Sequence, residues 1–151
     1  MQYLIFEVDE AYAIELSSIV EILEIQPITR VPETPDYITG VMNVRGQVVP
    51  VIDLRVRFKK PANESIERKC VIVTKFENLD LGLIVDSVSD LINIDDENIS
   101  EPPQVGNDYS HIFIKAIGVY DGQMKLILDT DKVINHSDID FLEEEQKRGG
   151  N

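Results

Sequence analysis

Asn43-Val-Arg-Gly-Gln-Val-Val-Pro-Val-Ile-Asp-Leu-Arg55 sets an Arg-Gly turn directly against a β-branched strand. Gly46 accepts the positive φ that such a turn needs and that arginine or valine resists. Val48, Val49, Val51 and Ile52 then carry the pattern of a buried strand. Arg45 is thereby held on a fixed corner of backbone, where a planar cation with five donors can pair with a carboxylate or meet a partner surface. Nothing in the run looks like an enzyme signature.

Working outward, a period near two recurs at Leu4/Phe6/Val8, Leu81/Leu83/Val85 and Met124/Leu126/Leu128. It predicts many short strands. Turn signals fall at Asn78-Leu79-Asp80 and at Tyr120-Asp121-Gly122-Gln123, whose Asp-Gly pair is the favoured centre of a two-residue type I′ hairpin. Helical signals are short. Thr34 is placed to cap a turn with Pro35 first and Gly40 as its stop, Thr130 to cap Asp131 to Ile134, and Ser137 to cap Asp138 to Lys147. Residues 148–151 are read as a frayed tail.

The two halves of the chain also resemble one another. Ala13 to Ile22 aligns with Gly82 to Leu91, and Gly46 to Asp53 with Gly122 to Asp129, in the same order. Shared Ser, acidic and Gly-Gln positions go beyond the apolar alternation that any two amphipathic strands share. The expected architecture is all-β, with two similar small barrels packed in one chain.

With 151 residues the chain fits one domain and buries about 68–70% of its extended-chain surface on folding. Its single cysteine, Cys70, sits in an apolar strand-like run and reads as a core thiol. Tyr3-Leu-Ile-Phe6 follows Met1 too closely for a leader with an apolar core, and no apolar stretch has the length of a membrane span, so the expectation is a cytoplasmic protein without direct membrane insertion. The formal net charge is −14 and uneven: residues 1–75 carry nine Lys/Arg against eleven Asp/Glu, residues 76–151 five against seventeen. Such a balance disfavours nucleic acid and anionic lipid. Arg55, Arg57, Lys59 and Lys60 form one basic cluster, read as a solvated strand edge.

Candidate chemistry is thin. His111 and His136 are the only histidines, and neither accompanies a nucleophile elbow or a zinc-ligand pair. Asp95-Asp96-Glu97-Asn98 lacks the spacing of a calcium loop and reads as a capped helical turn. Asp86 and Asp90 read as a polar rim, and Glu143-Glu144-Glu145 as a solvated helix face. Phosphate-cradling glycine motifs are missing. No catalytic residue, cofactor or metal is assigned, which leaves binding by surface shape. Val20, Ile22, Val41 and Val44, near Gly40 and Arg45, are the candidate apolar contacts. The rival class is a small-ligand-binding barrel, which a metabolite would stabilise thermally, or an unrecognised hydrolase.

Gly40-Val-Met-Asn43-Val44-Arg45-Gly46-Gln-Val-Val-Pro50-Val51-Ile52-Asp53-Leu54-Arg55 resembles the signature of the CheW family of chemotaxis coupling proteins, which usually writes Asn-Leu-Arg-Gly where this chain has Val44. Tyr3-Leu-Ile-Phe6, Tyr12-Ala-Ile14, Val20-Glu21-Ile22, Thr34-Pro35, Gly82 to Asp90 and Leu128 to Ile134 follow the family in order. The resemblance covers about residues 2–145. It implies two intertwined five-stranded SH3-like barrels with a few short helices and a C-terminal helix, residues 1–147 forming a single domain of two pseudo-repeated barrel subdomains.

The resemblance further implies a non-enzymatic adaptor that couples the cytoplasmic tip of methyl-accepting chemoreceptors to the histidine kinase CheA through the kinase's regulatory domain. The length favours the stand-alone coupling protein over the multidomain relatives CheV and CheA. Val20, Gly40 and Arg45 match positions tied to receptor binding. Glu21 matches the carboxylate expected to pair with Arg45, with Asn43 and Gly46 supporting the turn. Kinase-binding residues are left unassigned, at an apolar barrel end.

Overall fold

The computed structural model describes residues 1–61, 70–102, 112–135, 138, 142, 143 and 146. Its strands are β1 (Gln2–Val8), β2 (Glu10–Glu15), β3 (Ile19–Glu24), β4 (Gly40–Val44), β5 (Gln47–Asp53), β6 (Cys70–Phe76), β7 (Leu79–Val85), β8 (Ser87–Asn93), β9 (Ile99–Ser100), β10 (Ile114–Tyr120) and β11 (Gln123–Leu128). They form a six-stranded sheet in the order β8-β1-β2-β11-β10-β9 and a five-stranded sheet in the order β3-β6-β7-β5-β4. Among the described residues no helix is long and apolar enough to cross a membrane.

Local chemistry sets the hairpins. In β4–β5, Val44 pairs with Gln47 across Arg45 (φ 53°) and Gly46 (φ 84°). In β10–β11, Tyr120 pairs with Gln123 across Asp121 (φ 50°) and Gly122 (φ 75°). Two consecutive left-handed residues give the twist that two-residue antiparallel hairpins need. The third signal sits one residue earlier than the sequence indicated, at Glu77-Asn78, with Glu77 at φ 55° and Phe76 pairing with Leu79.

The halves are interleaved rather than side by side. β1 and β2 lie in the first sheet, whereas β3, β4 and β5 cross to the second; β6 and β7 lie in the second, and β8 to β11 cross back. The sequence-aligned positions occupy matching places in this exchange. Parallel β5–β7 pairs Val51 with Gly82 and Ile52 with Leu83, and parallel β11–β2 pairs Ile127 with Ala13 in the same register. Separating the two halves of the chain would break both parallel pairings, since each joins a strand of the first half to one of the second within a single sheet.

Three apolar clusters follow from this arrangement. Leu4, Phe6 and Val8 join Tyr12, Ile14, Ile52, Ile72 and Leu83 between the sheets. Tyr3 and Ile5 join Ala13, Ile92, Ile94 and Ile127 on the other face of the first sheet, and Met42, Val51, Val71, Val73 and Ile84 fill the second sheet's far face. β1 is thus buried on both faces, where the alternation pattern foretold only one. Phe6, Tyr12, Phe58 and Phe113 stack in a ladder with centroids 5.6, 5.2 and 5.2 Å apart, threading the central core.

The fold class matches the expectation, with differences in detail. Both sheets are open: among the described residues no ladder joins β8 to β9 or β3 to β4, and the two-residue β9 makes the first sheet six-stranded. The turn beginning at Pro35 forms, with the Ile38 amide donating to Pro35 O at 3.0 Å, but the Thr34 hydroxyl donates back to Val31 O at 2.9 Å and Gly40 starts β4 rather than stopping a helix. The helical turn α2 (Thr130–Val133) is capped by Asp129, whose carboxylate accepts from the Asp131 amide at 3.1 Å. Asp53 caps α1 (Leu54–Arg57) in the same way, so a strand-ending aspartate turns the chain in both halves.

Cys70 is half-buried against the central core. Asp96–Asn98 forms the anticipated turn without a side-chain cap. Ser137, Lys147, residues 148–151, His111, His136, Glu144 and Glu145 lie outside the described residues. Of the C-terminal segment, Leu142, Glu143 and Gln146 are helical. Leu142 enters the central core, and the Gln146 carboxamide brackets the Asp80 backbone, donating to its carbonyl at 2.9 Å and accepting from its amide at 3.2 Å.

Candidate functional site

The motif's residues divide between two ends of β4. At one end, Asn43 Oδ1 accepts from the Gly46 amide at 2.8 Å and fixes the turn. This local bond lets Arg45 hold a left-handed conformation that a non-glycine residue otherwise resists. The Arg45 guanidinium then reaches Glu21, with Nη1 donating to Oε2 at 2.6 Å. Glu21 lies on β3 and Arg45 follows β4, the two outer strands of the five-stranded sheet. The ion pair therefore links the sheet's two edges, doing with side chains what no backbone ladder does.

At the other end, Gly40 is buried. A Cβ there would sit 2.5 Å from Thr29 O, because the chain approaching β4 packs backbone to backbone. Thr29 and Val41 exchange both amide bonds, at 2.9 and 2.8 Å, immediately beside it. Gly40 thus presents no side chain to a partner; its place in the site is to let this approach occur.

Val20, Glu21, Val44, Arg45, Val49 and Asp80 line a shallow hollow of about 130 Å³ at the ion pair. Val20 and Ile22 are exposed, while Val41 and Val44 are half-buried and Val44 packs on the second sheet's core. Of the six singled-out positions, the fold brings Val20, Glu21 and Arg45 together, with Asn43 and Gly46 beneath them and Gly40 remote and internal. Arg45 keeps 81% of its side chain exposed and Glu21 20%, so the pair contributes only about 0–1 kcal/mol to stability. What it supplies is geometry.

Sequence reading missed a second constellation. Arg55 is buried, where a solvated edge was expected, and its guanidinium bonds to both Asp9 and Asp86. Nη2 lies 2.7 Å from Asp86 Oδ2, and Nη1 donates to Pro61 O at 2.6 Å. Bonds to Asp86 and then Asp9 hold the guanidinium well above its ordinary pKa despite the cost of burial. Asp86 sits where the chain crosses from the second sheet to the first and Asp9 turns β1 into β2, so this cluster ties the sheets together. It replaces the polar rim assigned to Asp86, whereas Asp90 is exposed on β8. The cap signal of Asp53-Leu54-Arg55, which turns the chain inward after a buried strand, is the pattern that could have placed Arg55 inside.

The remaining basic cluster is also engaged. Arg57 lies over the Tyr37 ring at 4.1 Å and donates to Val133 O at 2.8 Å. Tyr37 in turn donates to Asp138 at 2.5 Å and accepts from the Asn135 amide, and burial followed by the Asp138 bond pushes its pKa up to about 12. Lys60 approaches Glu10 at 3.6 Å. Among the described residues no group of three or more His, Cys, Asp or Glu is placed to hold a metal ion.

Against this geometry, residues 2–138 match the family model of the CheW-like domain. The chain belongs to the CheW-like domain family. It is 32% identical to the chemotaxis protein CheW of Klebsiella aerogenes over 143 residues, covering 94% of this chain and 86% of that protein. It is also 32% identical to the Bacillus subtilis chemotaxis protein CheW, over 82% of this chain and 80% of that protein. The crystal structure of the scaffolding protein TtCheW from Thermoanaerobacter tengcongensis shares its fold with a TM-score of 0.75 at 32% identity, covering 84% of this chain and 87% of that one. The ion-paired turn and the crossed sheets described above are therefore features of a CheW-like domain.

Proposed function

We propose that this CheW-like chain is a non-enzymatic, cytoplasmic chemotaxis adaptor. It couples the cytoplasmic tip of methyl-accepting chemoreceptors to the histidine kinase CheA and supports receptor control of the kinase. The observation that carries the reading is the Arg45–Glu21 bond across the sheet edges, beside exposed Val20 and Ile22. An apolar strip beside a rigid, ion-paired corner suits an amphipathic helical hairpin laid across it. Residues 1–147 act in this reading as one domain of two pseudo-repeated β-barrel subdomains, with separate faces for the two partners.

The motif supports binding rather than catalysis. Its polar groups go into a turn, an ion pair and a backbone contact. The net charge of −14 favours protein partners over nucleic acid or an anionic membrane. The test is binding of a receptor signalling fragment and the CheA regulatory domain, separately and together, by calorimetry or analytical ultracentrifugation. A ternary complex is expected. Mutual exclusion of the two partners would remove the bridging role.

A further inference from the structure

Because the halves of the fold share strand order and register, their residues can be compared by place. β3 is irregular between Ile19, paired with Thr74, and Glu21, paired with Val73. β8 repeats the irregularity, with Val88 paired with Phe6 and Leu91 with Leu4. Asp90 therefore stands where Glu21 stands. The matching turns put Asp121, at φ 50°, where Arg45 stands at φ 53°.

The chemistry at the two places differs. In the second sheet an anion and a cation meet across the edges. In the first sheet the same places hold two anions, and neither Asp90 nor Asp121 forms an ion pair among the described residues. The surrounding tip differs as well. Beside Arg45, Asn43 is used in the turn and Val44 packs inward. Beside Asp121, Val119, Tyr120 and Met124 are 41%, 43% and 68% exposed, and Val119 and Met124 are direct cross-strand neighbours. Lys125, the nearest cation along the strand, donates to Gln123 at 3.4 Å.

We propose that the β10–β11 tip is a docking surface for a partner protein presenting an arginine or lysine among apolar side chains. The partner's cation pairs with Asp121, which holds the place of Arg45 in the matching turn, and Asp90 adds negative charge on the same sheet. Burial of Val119, Tyr120 and Met124 supplies the attraction. The Asp121 carboxylate rejects an apolar surface that lacks the cation, because it would be desolvated without a counter-charge. The acid at the tip also disfavours an anionic membrane. This inference rests on the adaptor reading and gives it a second face, on the opposite sheet from Arg45.

The probe is the CheA regulatory domain, titrated into the full chain by calorimetry, with the receptor fragment as the parallel titrant. Asp121→Arg replaces the carboxylate with a cation that repels the partner's, and the turn accepts it because Arg45 holds nearly the same φ in the matching turn. The expected result is at least tenfold weaker binding of the kinase domain by Asp121→Arg and by Met124→Glu. Both variants should keep receptor-fragment affinity and an unchanged melting curve. Kinase-domain affinity within twofold of wild type in both folded variants overturns this proposal and leaves the adaptor reading standing. A wild-type chain that binds neither titrant removes the adaptor reading itself and this proposal with it.

Discussion

Arg55 Nη2 lies 2.7 Å from Asp86 Oδ2, and both side chains are almost wholly withdrawn from solvent. A buried cation of this kind persists only because its donors are satisfied, here by Asp86, Asp9 and the Pro61 carbonyl. Removing it leaves two carboxylates facing one another at the junction of the sheets. Arg55→Ala should cost about 3–5 kcal/mol in urea denaturation. A loss below about 1 kcal/mol would show that water satisfies the aspartates and that the cluster does not hold the sheets.

Arg45 and Glu21 form the opposite kind of pair, exposed and cheap to lose. Arg45→Ala should change stability by no more than about 1 kcal/mol while weakening receptor-dependent kinase activation. The charge exchange Glu21→Arg with Arg45→Glu should recover part of that activation if the edge-to-edge bond is what matters. Activation that stays lost in the folded exchange variant would instead assign the guanidinium to a contact with the receptor itself.

Gly40 faces backbone, so its substitution should act on folding before it acts on binding. Gly40→Ala puts a Cβ 2.5 Å from Thr29 O, and relief requires parting the Thr29–Val41 exchange. A destabilisation of about 1–3 kcal/mol is expected, with faster amide exchange at Thr29 and Val41. Unchanged stability together with lost receptor binding would contradict this account and mark a direct contact at the glycine.

Tyr37 gives the fold an alkaline dependence. Its phenol is raised from 10.0 to about 12 by burial and by its bond to Asp138. The unfolded chain therefore releases this proton at lower pH than the folded one. Stability is fully present below pH 10 and falls as pH rises towards 12. Denaturant titrations between pH 9 and 11.5 should show a shallower decline for Tyr37→Phe than for wild type. Burial raises Tyr3 in the same direction, so the difference between the two proteins is the informative quantity. Parallel pH profiles would exclude the assignment.

Much of the strand pattern can be read directly along the chain, because turn residues and period-two apolarity are local properties. Gly46 and Gly122 announce hairpins through their own conformational freedom, and Glu21 can be paired with Arg45 through family resemblance. Arg55 shows where local reading ends. In a run with Arg57, Lys59 and Lys60 it looks like a solvated edge, and only the arrival of Asp9 and Asp86 from distant turns makes its burial tolerable. The exposed Val119, Tyr120 and Met124 are equally invisible in sequence, since alternation cannot tell a core strand from an uncovered tip.

The sequence alone determined the all-strand class, the paired halves, and the turn that carries Arg45, since each depends on residue type and short-range spacing. Tertiary structure decided how those strands are shared: each half sends strands into both sheets, which buries β1 on both faces and brings Glu21 across to Arg45. The physical reason is that strand pairing and charge burial are contacts between residues far apart in the chain. Their free energies depend on what the fold brings opposite, which no local pattern records.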